Sequence, residues 1–360
     1  MTKQTRSRLT VLGIVVVVAG GIAVSPLPTM AGNYVDMLQA MRAFDKANAA
    51  YEVKEYDEAL RWYEVATENA PADNAIIQAT LRFFTASSNH LLYNPGLTDD
   101  PVNEERLEAA REGYEETIGV VEDGLQDPLL EQGVKDTIAL YEQYSTEQLA
   151  GLYRDYFRDM DKSIEYFDRL IEMAPDEPGR YYALADVYER FHDEEENPLL
   201  DMAIATYERP VEMNPDDPIG YRQVANLLNK YGRFDETMEW LARARDVNAD
   251  NPEGYYLIAT YYWDKVYRDP DLTQRQRREF IELGIGQLDA ALELNDEYVD
   301  ALVYKNLLLR EKAKVEPQNA NALIAEADEY RSRALAIRDA IAEAQRQAAA
   351  EAAEAAAEGR

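Results

Sequence analysis

The sequence predicts an all-α protein made of stacked antiparallel helix hairpins. Apolar residues recur at intervals of three and four rather than two, and one pattern occurs three times, at offsets of 40 and 34 residues. A large residue is followed by an aliphatic residue, an alanine and a second large residue. The three copies are Tyr181, Leu184, Ala185 and Tyr188; Tyr221, Val224, Ala225 and Leu228; and Tyr255, Ile258, Ala259 and Tyr262. Periods near 34 residues indicate hairpins that bury their apolar faces only against neighbouring hairpins.

Each copy of the pattern is followed by a second predicted helix that carries a small residue on its inner face. In one unit Ala203 and Tyr207 precede Pro215, and in the next Thr237 follows a turn at Gly232. A small residue lets two helix axes approach closely, and proline ends a helix. The same signature recurs at Tyr56, Ala59, Tyr63, Ala66 and Pro71, at Ser163, Phe167, Leu170 and Pro175, and at Gly284, Leu288 and Ala291. Residues 300–313 are predicted as one more first helix.

On these units, residues 38–315 resemble the tetratricopeptide repeat family. The resemblance implies a right-handed superhelix of antiparallel helix hairpins, and residues 218–251 fit one complete unit. Insertions are expected near residues 93–103, 191–200 and 267–278. Between residues 74 and 144 the sequence predicts helices without determining the repeat register.

A C-terminal helix is predicted over residues 320–347, where it would cover the last hairpin. Its expected apolar positions are Leu323, Ala327, Leu335, Ile337 and Ile341. Beyond them, residues 348–360 form a tail rich in Ala and Glu, in which no further buried seam is expected.

The N-terminal segment 1–31 predicts export. Lys3, Arg6 and Arg8 precede an apolar run over residues 9–24, and Thr29-Met30-Ala31 resembles a signal-peptidase site. Two interpretations stay open: a cleaved signal peptide, or an uncleaved inner-membrane anchor formed by residues 9–24. Either would place the rest of the chain outside the cytoplasm, in the periplasm or on the membrane facing it.

Composition excludes several classes of function. The chain has 69 acidic residues against 37 Lys and Arg, a net charge of -32, so nucleic acid is not an expected partner. It has no cysteine, which excludes disulfides, thiolate zinc sites and cysteine nucleophiles. Basic protein segments would be attracted by this charge.

No motif for catalysis, a metal or a cofactor is present in the sequence. Glycine-rich phosphate loops, nucleophile elbows and zinc-protease helices are missing. His90 and His192 stand outside any ligand spacing, and the acidic run after His192, residues 193–196, lacks the pattern of a calcium loop. A non-enzymatic protein without a cofactor is therefore expected.

The resemblance also implies where a partner would bind. In this family the first helix of each hairpin lines the concave surface, and its repeat positions five, nine, twelve and thirteen commonly face the ligand. Carried over, these are Tyr182, Asp186, Glu189 and Arg190; Arg222, Asn226, Asn229 and Lys230; and Tyr256, Thr260, Trp263 and Asp264. Arg222 and Asn226 match half of a carboxylate clamp, whereas Leu257, Asp300 and Tyr304 do not complete it.

The predicted function is a protein–protein interaction scaffold that holds peptide segments of envelope or secretion partners. The alternative is a small-molecule or oligosaccharide binder that uses the aromatic side chains Tyr182, Tyr256 and Trp263, and a closed pocket would favour it. The basic run 274–278 is expected either to cap a neighbouring helix or to contact anionic lipid. The sequence specifies neither the partner nor the oligomeric state.

Overall fold

The computed structural model describes residues 31–97, 99–192 and 198–358. All regular structure in these ranges is helical, which confirms the predicted all-α class. The α-helices are α1 Ala31–Glu52, α2 Tyr56–Asn69, α3 Ala75–Leu92, α4 Pro101–Gln126, α5 Gln132–Leu152, α6 Met160–Met173, α7 Pro178–Arg190, α8 Pro198–Met213, α9 Pro218–Lys230, α10 Phe234–Val247, α11 Pro252–Arg268, α12 Gln274–Leu294, α13 Val299–Val315 and α14 Ala320–Glu358. A π-helical turn, Tyr153–Phe157, follows α5, and a 3-10 turn, Pro317–Asn319, precedes α14.

The chain divides into two compact units, Met1–Leu149 and Ala150–Arg360. In the first unit α1 pairs with α2 and α3 with α4. Rings fill its core, where Tyr63 stacks on Phe84 at a centroid distance of 5.6 Å. Gly113 of α4 lies against Ala86 of α3, so closely that a Cβ at Gly113 would come within 2.8 Å of the alanine methyl. The small residue of this hairpin is therefore a glycine, and both helices are longer than the 34-residue unit allows.

The second unit contains the repeats that the sequence pattern predicts. Its hairpins pair α7 with α8, α9 with α10, α11 with α12 and α13 with α14. The three motif alanines, Ala185, Ala225 and Ala259, are fully buried between helices. Ala203 and Thr237, the small residues of the second helices, are equally inaccessible. Each hairpin therefore contributes contacts that its neighbours need, as the repeat pattern predicts.

Local capping explains where the first helices begin. Pro178, Pro218 and Pro252 occupy the first turn of α7, α9 and α11, where proline suits the backbone. The side chain of Asp217 accepts a hydrogen bond from the Ile219 N–H at 2.9 Å, which caps α9.

The first tyrosine of the motif also has a local role. The Tyr221 hydroxyl donates to the Pro215 carbonyl at 3.0 Å, and Tyr181 bonds Pro175 in the same way one repeat earlier. These bonds tie the start of a first helix to the turn that precedes it. They give a physical reason for tyrosine, rather than phenylalanine, at this position.

The insertions differ in structure. The connector between α3 and α4 is cross-linked by Asn103, whose side chain accepts from the Asn94 N–H at 2.8 Å and donates to the Leu97 carbonyl at 3.0 Å. Most of residues 267–278 are helical, because α11 continues to Arg268 and α12 begins at Gln274. In the insertion near residues 191–200, residues 193–197 lie outside the described residues. They include the acidic run after His192.

The basic run 274–278 forms the first turn of α12 and caps neighbouring helices. Arg277 donates to the carbonyls of Val266 and Asp269 at the end of α11. Arg278 donates to the Val315 carbonyl, the last residue of α13, at 3.1 Å. Both arginines thus satisfy carbonyls that have no partner within their own helices.

The C-terminal helix differs in part from its prediction. Leu323 and Ala327 pack against α13, as expected. Leu335 and Ile341 are 46% and 48% exposed, so their prediction as apolar contact positions was wrong; Ala334, at 2%, is buried instead. The helix also continues past residue 347 to Glu358.

Residues 1–30, which contain almost all of the predicted export segment and the run 9–24, lie outside the described residues. In the part of the chain that the structure describes, no helix is both long enough and apolar enough to cross a membrane.

Candidate partner-binding face

The predicted partner-binding residues lie on α7, α9 and α11, the first helices of three consecutive hairpins in the second unit. We call the surface that they form, together with the adjoining side chains of α13, the first-helix face. Its predicted members are Tyr182, Asp186, Glu189 and Arg190 on α7, Arg222, Asn226, Asn229 and Lys230 on α9, and Tyr256, Thr260, Trp263 and Asp264 on α11.

Polar members of this face are paired across neighbouring repeats. Lys230 of α9 donates to Glu189 of α7. One repeat further, Tyr261 donates to Asn226 at 3.3 Å. These contacts join successive first helices. Because Lys230 is exposed, its pair contributes at most about 1 kcal/mol to stability.

Arg222, the predicted half-clamp residue, is also engaged. Its guanidinium lies 3.8 Å from Glu253 at the start of α11, in an exposed ion pair. The remaining clamp positions offer a leucine side chain, an aspartate and a tyrosine, so they supply none of the cations that would complete a clamp for a chain-terminal carboxylate.

At α7 the face is joined to the π-helical turn by two arginine–aspartate contacts. Arg154 lies 3.2 Å from Asp186, and Arg190 lies 2.7 Å from Asp155. Burial opposes ionisation of Asp155, but hydrogen bonds from Arg154 and the charge of Arg190 hold its pKa below the ordinary value. Asp155 therefore stays ionised, and this end of the face is a closed ionic network.

The aromatic members behave differently along the face. Tyr182 packs against Tyr207 of α8 at 5.8 Å. Tyr256 instead meets Tyr304 of α13 edge-on at 5.3 Å. Burial, followed by the nearby Tyr304, raises the pKa of Tyr256 to about 12. Its hydroxyl is accordingly a hydrogen-bond donor at any physiological pH.

An open depression of about 360 Å³ lies where α9, α11 and α13 meet. Four predicted positions line it: Asn229, Thr260, Trp263 and Asp264. Thr260 and Asp264 are engaged within α11, since Thr260 donates to the Leu257 carbonyl at 2.7 Å and Asp264 accepts from Arg268 at 2.5 Å. Because the depression is open rather than enclosed, it does not favour the small-molecule alternative.

Sequence reasoning gave no binding role to Tyr267, Tyr298 and Tyr304, which lie beside these positions. Tyr267 stacks on Trp263, with ring centroids 5.0 Å apart and planes 11° apart, and is 62% exposed. Tyr298 and Tyr304 approach α11 from the next repeat. Only Tyr267 left a local signal, its position four residues after Trp263, which places both rings on one side of a helix.

The described residues contain no group of three His, Asp, Glu or Cys side chains placed to hold a metal ion. His90 packs edge-on against Tyr114 of α4, at a ring distance of 6.2 Å. His192 likewise meets Tyr231 edge-on, at 5.1 Å.

No protein-family model matches the chain, and no curated protein matches it. Solved structures resemble it at low identity. The C-terminal part of a TPR repeat-containing protein from Cytophaga hutchinsonii is 13% identical, covering 82% of this chain and 95% of that one, with a TM-score of 0.47. MamA from Desulfovibrio magneticus RS-1 is 12% identical, covering 55% and 96%, with a TM-score of 0.34. The TPR2AB domain of yeast Sti1, in a pHSP90 complex, is 15% identical, covering 80% and 98%, with a TM-score of 0.30. It is the chain's own repeat period, hairpin pairing and buried alanines that give it the fold of a tetratricopeptide repeat protein.

Proposed function

We propose that the protein is a non-enzymatic scaffold that holds a peptide segment of a partner protein on its first-helix face. The observation that carries this proposal is the depression beside α11, which four of the sequence-predicted binding positions line. The Asn229 side-chain amide and the Trp263 indole ring both line it, and such groups bond a peptide backbone while covering its apolar side chains.

Unused hydrogen-bonding capacity supports the same conclusion. Among the described residues, neither the Asn229 side-chain amide nor the Trp263 indole N–H has a hydrogen-bond partner, although both lie at the depression. A peptide carbonyl could satisfy either group. The polar positions on α7 are already paired, so the proposed contact is centred on α11.

The test is selection of binding peptides from a random library on the purified protein, followed by fluorescence anisotropy. Trp263→Ala and Asn229→Ala should weaken the selected peptides at least about tenfold, because central anchors dominate such contacts. Trp62→Ala is the matched control, since Trp62 lies on α2, in the other unit. Equal binding by all three variants would reject the first-helix face as the binding site.

The same variants test the alternative function, binding of an oligosaccharide. Titration calorimetry with a hexasaccharide would show heat that Trp263→Ala abolishes if the aromatic side chains serve a sugar. That result, with no selected peptide, would replace the scaffold proposal.

We further propose that the protein works outside the cytoplasm, in the periplasm or tethered to the inner membrane, on the evidence of residues 1–31. Envelope or secretion proteins are then its expected partners. Mass determination of the purified native protein tests both versions: loss of the first 31 residues indicates a cleaved signal, and an intact segment found in the membrane fraction indicates an anchor. An intact protein in the soluble cytoplasmic fraction would reject export.

A further inference from the structure

Five aromatic rings form a continuous row on the first-helix face, and we call them the aromatic row. Tyr256, Trp263 and Tyr267 lie along α11, while Tyr298 and Tyr304 come from the start of α13 and its cap. Successive ring centroids are separated by 5.4 Å, 5.3 Å, 5.5 Å and 5.0 Å, in the order Tyr298, Tyr256, Tyr304, Trp263, Tyr267. Except for exposed Tyr267, each ring is half-buried. The row thus borders solvent over its whole length.

The crossed rings do not form a flat platform, and both Tyr304 and Trp263 line the open depression described above. The plane of the Tyr304 ring lies at 85° to that of Tyr256 and at 80° to that of Trp263. Tyr304 therefore stands between these two rings and nearly perpendicular to both. One face of Trp263 is covered by the stacked Tyr267. A sugar ring needs a wide, uncovered aromatic face. The open corner beside Tyr304 and Trp263 suits a compact, rigid apolar group such as the pyrrolidine ring of proline.

The spacing of the aromatic rings along α11 also matches a proline-rich ligand. Tyr256 and Trp263 are seven residues apart, which is roughly 10 Å at 1.5 Å per residue. A polyproline II helix repeats every three residues, or roughly every 9 Å. The two rings on either side of Tyr304 are therefore spaced to receive prolines one turn apart.

The hydrogen-bond donors and the charges of the aromatic row also suit a proline-rich segment. A proline-rich segment offers carbonyl acceptors and few N–H donors, and the row supplies the Trp263 indole N–H as a donor. At the Tyr298 end Asp300 is exposed and has no ion pair among the described residues, whereas nearby Glu253 is paired with Arg222. At the other end Lys265 and Arg268 are neutralised by ion pairs within their own segment. The unbalanced charge is negative and lies at the Tyr298 end.

We propose that the aromatic row binds a proline-rich peptide segment in the polyproline II conformation, with Lys or Arg at the end that meets Asp300. This inference rests on the proposed scaffold function and names the class of its partner. Polyproline II segments lose little conformational freedom on binding, because their backbone is already extended.

The test uses fluorescein-labelled decapeptides of repeating Ala-Pro-Pro with two arginines, placed at the N-terminus in one probe and at the C-terminus in another. Anisotropy with the full-length protein should show saturable binding of at least one of them. Replacing every proline by glycine should weaken that probe at least about tenfold. Trp263→Ala should do the same, and Trp62→Ala should leave binding unchanged.

Two milder variants keep the test independent of folding. Tyr267→Ala removes a ring that is 62% exposed, so the core stays intact while binding weakens about threefold or more. Asp300→Asn should weaken the arginine-containing probe and reduce its salt dependence, but leave a probe without arginine unchanged. Circular dichroism checks that each variant retains its helices.

The outcomes separate this inference from the proposed function. If library-selected peptides without proline bind and depend on Trp263, while both proline probes fail, the scaffold function stands and the proline inference is overturned. Tight binding of the proline probes that is indifferent to Tyr267→Ala and Trp263→Ala would also overturn it, because the row would not be the site. If only a hexasaccharide binds, both proposals are rejected.

Discussion

Two glycines on α12 allow a direct test of how the hairpins are packed. Gly284 is buried at the crossing with α11 and α13, where an added Cβ would lie 2.7 Å from the Leu308 Cδ1 atom and 3.2 Å from the Tyr262 Cβ atom. Gly286, two residues later on the same helix, is exposed, and its Cβ would meet nothing within 4 Å. Substitution by alanine is the same chemical change at both positions. We expect Gly286→Ala to stabilise the protein, and Gly284→Ala to leave its stability unchanged or to lower it.

The magnitude follows from two opposing contributions. Alanine in place of glycine favours a helix interior by about 1 kcal/mol, so Gly286→Ala should raise the free energy of unfolding by about that amount. At position 284 the same gain is opposed by overpacking, which costs about 1–3 kcal/mol. Leu308 is fully buried and cannot swing into solvent, and the Tyr262 contact is next to the backbone. Gly284→Ala should therefore be neutral or destabilising by up to about 2 kcal/mol, placing it about 1–3 kcal/mol below Gly286→Ala.

Urea denaturation followed by far-UV circular dichroism measures the difference. Since repeat arrays can unfold in parts, hydrogen exchange of the α12 and α13 peptides gives a local readout. Exchange in α13 should accelerate for Gly284→Ala and not for Gly286→Ala. If the two variants are equally stable, the crossing of α12 with its neighbours is not as close as described, and the small-residue explanation for this hairpin is wrong.

Two further predictions concern capping and buried rings. Arg277→Ala should lower the free energy of unfolding by about 1–3 kcal/mol, because two carbonyls at the end of α11 lose a charged donor. Exposed Arg275→Ala should change the free energy of unfolding, measured by urea denaturation, by less than about 0.5 kcal/mol. Equal losses would contradict the capping role. Burial raises the pKa of Tyr63 and of Tyr114, and that of Tyr141 to about 12. The unfolded chain therefore loses these protons first, near pH 10, so stability is fully present below about pH 10 and falls as the pH rises further. A urea midpoint that does not change in this range would refute the effect.

The motif residues could be predicted from the sequence because their signal is local. Ala185, Ala225 and Ala259 recur at fixed distances from large residues. A small residue that recurs at the same position of a helical apolar pattern indicates a close contact between helices. The hairpin of α3 and α4 could not be read in this way, since Gly113 takes the place of the small residue and the helices exceed the repeat length.

The C-terminal helix shows a different limit. Residues 334–337 read Ala, Leu, Ala and Ile, so several phases of the helix satisfy an apolar periodicity. The prediction chose the larger Leu335, but the structure buries Ala334. In an alanine-rich helix residue size alone does not identify the contact face, because a close approach favours the small residue.

For the binding face, sequence reasoning predicts positions but not the contacts that join them. The contact between Glu189 and Lys230 joins residues 41 apart along the chain, and no local pattern predicts such a pair. Tyr304 entered the sequence argument only as a failed clamp position, yet it separates Tyr256 from Trp263 in the aromatic row. Its role depends on how two hairpins stack, which spacing within one hairpin does not determine.

The pairing of polar residues bears on where a partner gains most of its affinity. On α7 and α9 a ligand must compete with contacts such as Arg190 with Asp155 and Lys230 with Glu189, so a bond that it forms with these charged residues replaces one that already exists. Exposed ion pairs contribute at most about 1 kcal/mol each. Replacing one of them by a contact with the ligand therefore changes the free energy of binding little. On α11 the indole N–H and the ring edges of the aromatic row have no such competitor among the described residues, and apolar surface covered there is a net gain. Affinity should therefore concentrate at the α11 end of the face, with the paired residues of α7 and α9 setting which extended segments can lie along it.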